Sequence, residues 1–454
     1  MALEADGDDI SVGISLSLNV EEIDMTETTP ADTGTGYGRK APSYDARLAE
    51  VGPGTPMGEL LRRYWHPIAT SATLTSDVPH RTRVLGENLI VFRDGQGRPG
   101  VVFERCAHRG SSLFFGRVEQ DGIRCCYHGW KFDVRGNCLE QALEPDRGRR
   151  RDAAHQPWYP VEERYGLVFV YMGPPERKPV LPRYTALEPL EEGDQYYAEW
   201  PIPGLPPTGL VSDFSWLNMY ENALDPSHVS WLHSTHSGYQ ALGTGTTGLP
   251  ENFYDPDGFQ DSISYTKTEF GAKYDELIRD KAENGDPRVR TFRVELHMPN
   301  VFGLPDYVDL PTDKRPDHIM WVVPMDDTHH RVFFSIRASD PERLARFAFG
   351  LKQNGKDPWE LTEEDRQRFP GDGEAQGSQG AIPMHSEETL ATTDRGVVML
   401  RRMLKSMIDD VEAGRDPLNV SMAEEPPRHV DSGVYTVSTG AVEDTAAAVP
   451  ATGA

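Results

Sequence analysis

The sequence has few cysteines, a deficit of basic residues and no long apolar run. Four cysteines in 454 residues are typical of a protein kept in a reducing compartment. A formal net charge of −26 argues against nucleic acid or an anionic membrane surface as a partner. No apolar run approaches the roughly 18 residues that span a bilayer, and the first residues are acidic where a signal peptide is basic. We therefore expect a cytoplasmic protein.

Two clusters of cysteine and histidine lie close together in the first half of the chain. They are Cys106-Ala107-His108 and, after sixteen intervening residues, Cys125-Cys126-Tyr127-His128. In this CxH and CxxH pattern imidazoles replace two of the four thiolates of a plant-type site, which raises the reduction potential of a [2Fe–2S] cluster. The pattern predicts a Rieske centre held by Cys106, His108, Cys125 and His128. A structural zinc site is the alternative, but such sites usually begin with CxxC. Cys126 and Cys138 are expected to be free thiols.

A second group of candidate ligands begins at Asp225-Pro226 and includes His228 and His233. Two imidazoles and one carboxylate form the facial triad of non-haem Fe(II) oxygenases, which leaves one face open for O2 and substrate. On an ideal helix the two histidines would project about 140° apart, so both reach one metal only where the helix is bulged or ends. Pro226 would favour such a distortion. Alternatively, Asp225 simply caps a helix that begins at Pro226, and the histidines bind no metal.

With these motifs the sequence resembles the oxygenase (alpha) subunits of Rieske non-haem iron oxygenases. It is most similar to the phthalate-dioxygenase-like branch, which includes aromatic ring hydroxylases and aromatic O-demethylases. The resemblance runs from about Val51 to Asp409 and also rests on the segments at 52–67 and 392–396. It implies one [2Fe–2S] Rieske cluster and one Fe(II) per subunit.

The resemblance also implies roles for three residues near the iron. In that branch the carboxylate ligand shortly precedes a Gly-Pro-Ile turn, and Asp372 has the matching spacing, with Ala381 where proline is usual. Glu374 is a close competitor as the third ligand. Asp225 would link His228 to the Rieske histidine of a neighbouring subunit, which His128 matches. Asn222 would lie next to the iron.

The implied function is that of the terminal oxygenase component of a multicomponent system. Such a component uses O2 and electrons from a separate NAD(P)H reductase or ferredoxin to hydroxylate or O-demethylate an aromatic compound. Homotrimers or trimer-based hexamers are expected by the same resemblance. The segment Gly243–Gly248 matches GxGxxG but has no clear strand before it, so it does not indicate a nucleotide site. A Rieske electron-transfer protein without oxygenase activity, and a metal-bound scaffold that has lost catalysis, are the alternatives.

The expected fold class is α+β, with an N-terminal all-β Rieske domain and a C-terminal helix-grip catalytic domain. We predict disordered tails over 1–40 and 417–454, a Rieske domain with an N-terminal helix over 41–175, and a mononuclear iron domain over 176–416. Apolar residues at helical spacing from Val397 to Val411 predict the long helix of the second domain. His329 and His330 are expected on the surface, because consecutive strand residues point to opposite faces and cannot easily share a metal.

Overall fold

A computed structural model describes residues 35–36, 38–198, 210–236, 262–281, 285–305, 318–339, 356 and 360–439. The chain divides into one unit over Met1–Ala41 and a second over Pro42–Ala454. In the first unit, Arg39 N–H donates to Gly36 O at 3.1 Å. The predicted N-terminal tail and the Gly243–Gly248 segment lie almost wholly outside the described residues.

The helices are short, apart from one near the C-terminal end. Within the described part of the chain they are α1 (Ala46–Ala49), α2 (Pro56–Leu61), α3 (Trp216–Asn222), α4 (Pro226–Ser230), a π-helical turn (Trp231–His236), α5 (Glu363–Arg368), α6 (Asp372–Gly377) and α7 (Arg395–Glu412). Short 3-10 turns cover Leu113–Phe115, Pro145–Arg147, Arg151–Ala153, Pro175–Arg177 and Thr392–Asp394. None of these helices has the length and apolar character that crossing a membrane requires.

Three small antiparallel sheets form the N-terminal part of the second unit. Their strands are β1 (Trp65–Thr70), β2 (His80–Val84), β3 (Glu87–Arg93), β4 (Pro99–Phe103), β5 (Arg117–Glu119), β6 (Gly122–Arg124), β7 (Trp130–Phe132), β8 (Cys138–Gln141), β9 (Trp158–Tyr159), β10 (Val161–Arg164) and β11 (Leu167–Tyr171). The sheet orders are β1-β11-β10, β2-β3-β4-β9 and β5-β6-β7-β8. The third sheet carries the second cysteine and histidine cluster, between β6 and β7.

Local sequence signals explain how this part begins and ends. The Thr55 side chain caps α2 by accepting from Gly58 N–H, and Pro56 occupies the first helical position, where its missing N–H costs nothing. Every residue of β11 is buried, as its continuous apolar run predicts. The predicted domain boundary near residue 175 falls in the Pro175–Arg177 turn after β11, and it stays a prediction.

A nine-stranded sheet dominates the rest of the described chain. Its strands are β12 (Gln195–Tyr197), β13 (Leu210–Ser212), β14 (Ile263–Lys267), β15 (Gly271–Lys281), β16 (Pro287–His297), β17 (Val301–Gly303), β18 (His318–Asp326), β19 (His329–Ala338) and β20 (Gly433–Thr439). The main order is β12-β19-β18-β17-β16-β15-β14, with β13 paired to β19 and β20 paired to β16. These pairs are antiparallel.

Helix α7 packs into the same hydrophobic core as this sheet. The predicted face is buried at Leu400, Leu404 and Met407, and Met403 and Ile408 complete it. Tyr274 of β15 and Phe292 of β16 belong to the same cluster of buried side chains, as do residues of α2 and β11. The expected α+β class, with an antiparallel sheet over a long C-terminal helix, is confirmed.

The prediction of a disordered tail from residue 417 is wrong over the described residues 417–439. Val430 and Val434 are 1% exposed, and β20 pairs with β16 over Gly433–Thr439. The physical reason is that this segment contains enough β-branched and aromatic residues to cover the edge of the sheet. The remainder of the predicted tail, residues 440–454, lies outside the described residues.

Candidate metal centres

The first candidate centre consists of two loops that each follow a strand. Cys106 comes after β4, and its N–H donates to Ser111 O at 2.9 Å while its carbonyl accepts from Gly110 N–H. Cys125 comes directly after β6, and its N–H donates to Trp130 O at 2.8 Å. Gly110 and Gly129 close the two loops at φ angles of +76° and +71°, which favour glycine. The loops therefore have matching backbone geometry.

The two cysteines are buried at the base of these loops. Cys106 and Cys125 are 3% and 4% exposed, and their side chains hydrogen-bond each other. The hydrogen bond from Cys106 and the backbone N–H groups of Tyr127 and His128 lower the pKa of the Cys125 thiol to about 5, against the effect of burial. The hydrogen bond to Cys125 and burial raise the pKa of Cys106. None of the four cysteines forms a disulfide bond.

The two histidines lie nearer to the solvent than the cysteines. The His108 and His128 ring centroids are 4.7 Å apart, and both side chains are half-buried. Trp130 stacks on His108 at a centroid distance of 4.3 Å and an interplanar angle of 3°. Two inner sulfurs and two outer imidazoles match the donor set of a [2Fe–2S] cluster with one thiolate-bound and one histidine-bound iron.

Gln156 holds the first loop, and sequence reasoning missed it. This side chain is fully buried, and its amide oxygen accepts from Ala107 N–H at 2.7 Å. Its amide nitrogen donates to Phe103 O at 2.8 Å and to Arg105 O at 3.0 Å. Three hydrogen bonds to the backbone therefore fix the loop on either side of Cys106. Nothing in the local sequence around Gln156 signals this role.

The second candidate centre brings together His228, His233 and Asp372. One ligand atom of each lies within 4.8 Å of the others. Asp372 Oδ1 is 3.6 Å from His228 Nε2, and Asp372 Oδ2 is 3.2 Å from His233 Nε2. The two imidazole centroids are 5.4 Å apart. Two nitrogens and a carboxylate at these distances fit one first-row divalent metal.

A change of helix type allows both histidines to reach Asp372. Helix α4 carries His228 and ends at Ser230, and the chain continues as the π-helical turn that carries His233. A π-turn places more residues in each turn than an α-helix does, so it reduces the angle between residues five positions apart. The distortion that the five-residue spacing requires is present.

Charge stabilises the carboxylate of Asp372. Burial raises the pKa of Asp372, but the His233 and His228 imidazoles and a hydrogen bond from Asn222 outweigh burial, so the pKa is well below its usual value. The Asn222 amide donates to Asp372 Oδ1 at 3.3 Å. The competitor Glu374 accepts from Gly371 N–H at 2.9 Å and pairs with Arg366. The structure therefore brings Asp372, and not Glu374, to the histidines.

Asp225 lies beside the centre and does cap α4. Its side chain accepts from Ser227 N–H at 2.9 Å, and its backbone carbonyl lies 2.5 Å from His228 Nδ1. Its second carboxylate oxygen is 3.7 Å from the same His228 nitrogen, and 27% of the side chain is exposed. Capping and orientation of His228 are thus combined in one residue.

Two further residues behind this centre were missed. Ser230, which joins α4 to the π-turn, donates to Glu276 on β15 at 3.2 Å, and both residues are buried. Burial raises the pKa of Glu276 to about 8.

His330 was expected on the surface, but this prediction is wrong. Side chains alternate along β19, so His330 points into the core, with its Nδ1 2.8 Å from Phe214 O. Only the folded chain brings Ser230 to Glu276 and His330 to Phe214.

Comparison with known proteins agrees with the geometry of the first centre. The Rieske [2Fe-2S] domain family matches residues 64–148. The phenoxybenzoate dioxygenase subunit alpha of Ectopseudomonas oleovorans is 44% identical over 88% of this chain and 94% of its own length. The tert-butanol monooxygenase / tert-amyl alcohol desaturase oxygenase subunit of Aquincola tertiaricarbonis is 37% identical over 82% of this chain and 77% of its own length.

A solved structure shares the fold. NdmA of Pseudomonas putida CBB5 with caffeine superposes with a TM-score of 0.53 at 18% sequence identity, over 82% of this chain and 99% of the other. At that identity the likeness concerns the fold alone. The two relatives, which match more than four fifths of this chain, favour an oxygenase over a simple electron-transfer protein. This chain belongs to the family of Rieske oxygenase alpha subunits.

Proposed function

We propose that this chain is the terminal oxygenase component of a multicomponent system that hydroxylates or O-demethylates an aromatic compound. Cys106, His108, Cys125 and His128 would hold the [2Fe–2S] cluster. His228, His233 and Asp372 would hold one Fe(II). The observation that carries the proposal is the convergence of the last three side chains within 4.8 Å, with the two histidines on a helix that changes type between them.

The donor atoms suit the two groups. When bound, the cluster would supply electrons one at a time and the iron would activate O2 at its open face. The hydrogen bond from Asn222 to Asp372 restricts that carboxylate to one orientation. The Asp225 carbonyl, 2.5 Å from His228 Nδ1, favours the proton on that nitrogen and leaves Nε2 free to bind a metal.

Asp225 would also connect two subunits. One of its carboxylate oxygens serves Ser227, whereas the other is 3.7 Å from His228 Nδ1 and the side chain is partly exposed. A hydrogen bond from His128 of a neighbouring copy would then join the two centres through one carboxylate. This role fits a homotrimer or a trimer-based hexamer.

The named relatives support a proposal for the substrate class and the electron donor. The 44% identical relative is named for phenoxybenzoate, an aryl ether that carries a carboxylate, so we propose an oxygenated aromatic substrate. The 37% identical relative is named for aliphatic alcohols, so pocket residues and not metal ligands select the substrate. A separate reductase or ferredoxin would deliver the electrons, and we place the protein in the cytoplasm.

Metal analysis with EPR tests the proposal directly. Dithionite-reduced protein is expected to give a rhombic Rieske signal, with about three irons and two sulfides per chain. Nitric oxide is expected to give a separate iron–nitrosyl signal that His233→Ala removes. A Rieske signal without any nitrosyl, after reconstitution with ferrous iron, would overturn the oxygenase assignment.

A substrate screen then separates the two reaction types. Aryl ethers and aromatic acids would be offered with O2, NADH and a reductase, and O2 uptake would be measured. Release of formaldehyde identifies demethylation of a methoxyarene, whereas hydroxylation of the ring releases none. The metal ligands do not distinguish the two reactions, because the outcome depends on which substrate carbon lies nearest the iron.

A further inference from the structure

Charge is distributed very unevenly along this acidic chain. Residues 64–175 contain 15 Lys and Arg against 13 Asp and Glu, whereas the rest of the chain contains 31 against 59. The Rieske part therefore has a small positive charge, and the whole negative charge belongs to the remainder. Such asymmetry between regions of one chain points to an interaction with a charged partner.

Four of the 15 basic residues are clustered in one segment, residues 142–153, which we call the arginine arm and which also holds three acidic residues. It carries Arg147, Arg149, Arg150 and Arg151 within five positions. The Arg147 and Arg149 side chains are 77% and 76% exposed. Arg147 pairs with Glu140 and Arg149 with Asp146, but ion pairs this exposed contribute little to stability and leave the arginines available.

An apolar residue stands at the beginning of the arm. Leu143 is 81% exposed, the highest value among the large hydrophobic side chains that the structure describes, and Tyr127 of the second cluster loop is 59% exposed. Apolar and aromatic side chains surrounded by arginine are typical of protein interfaces, in which a few such residues dominate the binding energy.

The arm directly adjoins the loop that carries His128. A Cβ atom on Gly129 would lie 2.9 Å from Ala142 Cβ, so the arm packs against this loop. Gln141, just before the arm, pairs with Trp130, and Trp130 stacks on His108. A protein bound on the arm would therefore lie next to the two outer imidazoles of the Rieske site.

We propose that the arginine arm, with Leu143 and Tyr127, is the docking surface for an acidic electron-donor protein. The inference rests on the proposed function and adds the position and charge of its donor site. In each encounter one electron would pass from the donor to the cluster, so that the donor is oxidised and the cluster is reduced by one electron. Long-range attraction would raise the association rate, and Leu143 would add a short-range apolar contact.

The test compares two charge-matched triple variants of the full-length holoprotein. The first is R149Q/R150Q/R151Q, which leaves Arg147 in place because its partner Glu140 also binds Arg124 beside Gly129. The control is R183Q/R402Q/R415Q, which removes the same charge from exposed positions outside the Rieske part. The probe is a plant-type [2Fe–2S] ferredoxin with a net negative charge. Its affinity in the oxidised state and the rate of cluster reduction by its reduced state are measured from low to high salt.

We expect the arm variant to bind about tenfold more weakly and to be reduced about tenfold more slowly at low salt, with a shallower salt dependence. The control variant should behave like the wild type. Leu143→Ser should weaken binding equally at all salt concentrations, because its contact is apolar. Equal rates and affinities for both triple variants would overturn the proposal.

Two further measurements separate this proposal from its alternatives. If the arm instead contacts the acidic part of a second copy, R149Q/R150Q/R151Q would change the mass of the assembly without changing donor affinity, and this outcome overturns the proposal. Failure of the proposed function is distinct, since it would remove the Rieske EPR signal or the nitrosyl signal already from the wild type. Dithionite should reduce all variants at one rate, because it needs no docking surface.

Discussion

The Rieske site and the proposed iron site are assembled over very different distances along the chain. All four Rieske residues lie between positions 106 and 128, on two loops fixed by backbone hydrogen bonds. The iron site joins a helix with a π-turn to Asp372, which follows His233 by 139 positions. The first site is a local unit, whereas the second depends on packing between α3, α4, α6 and the large sheet. Damage to one site should therefore leave the other site intact.

Removing one ligand from each site is the strongest test of this independence. Cys125→Ser should lose the cluster and keep the mononuclear iron, and His233→Ala should do the reverse. Each should lower turnover by more than about 100-fold, since loss of a direct ligand exceeds the effect of losing a residue that only supports one. Iron and sulfide analysis with EPR measures both sites. Loss of both groups from either variant would contradict the comparison.

Asp225 is proposed to connect the sites, so its replacement should leave both intact. Asp225→Asn keeps the N-cap of α4, because asparagine caps as well as aspartate. It removes the negative charge near His228 Nδ1, and turnover should fall by about 10- to 100-fold with unchanged metal content. Oxidation of the pre-reduced cluster by O2 in the presence of substrate measures the step. A fully active variant with normal metal content would rule out this connection.

The Rieske loop should depend on Gln156 more than on any exposed neighbour. Gln156→Ala removes three hydrogen bonds to partly buried backbone groups, each worth about 0.5–1.5 kcal/mol. We expect a lower melting temperature and loss of cluster, with the nitrosyl signal of the iron site retained. Gln120→Ala is the control, because that side chain is exposed and makes one hydrogen bond, to Gly95 O. An unchanged cluster content in Gln156→Ala would show that the loop keeps its structure without Gln156.

The contrast between a local site and a site built across the chain also explains which residues could be predicted from the sequence. The Rieske motifs are local, so their residues and their α+β setting could be identified directly. The five-residue spacing of His228 and His233 predicts a helix irregularity from geometry alone, and the structure has one. Asp372 could be placed only by resemblance, since nothing near it in the sequence distinguishes it from Glu374.

Residues that act across long separations could not be predicted. Gln156 holds a loop about fifty residues away, and Glu276 reaches Ser230 across 46 positions. Their partners are brought together by tertiary packing, which no local period encodes. The strand at Gly433–Thr439 was missed for a related reason, because a short strand at the edge of low-complexity sequence gains stability only from β16.

The smallest expected effect on the two metal sites concerns the support behind the iron site. With its pKa at about 8, Glu276 keeps its proton in the folded protein at pH 7, whereas the unfolded chain releases it above about 4.3. Folding stability from this group is therefore fully present below about pH 4.3 and is lost as pH rises to 8, by at most about 1.4 kcal/mol per pH unit. Glu276→Gln keeps an acceptor for Ser230 and cannot titrate.

Melting temperatures between pH 5 and pH 8 measure this difference. The wild type should become less stable than Glu276→Gln as pH rises, while the visible spectrum of the Rieske cluster stays the same in both. Glu424→Gln is the control, because that side chain is exposed. Parallel curves for wild type and Glu276→Gln would mean that Glu276 is ionised in the folded protein. The buried carboxyl group would then need a cation near the π-turn, and the iron site would be more strongly coupled to the sheet than its hydrogen bond to Ser230 indicates.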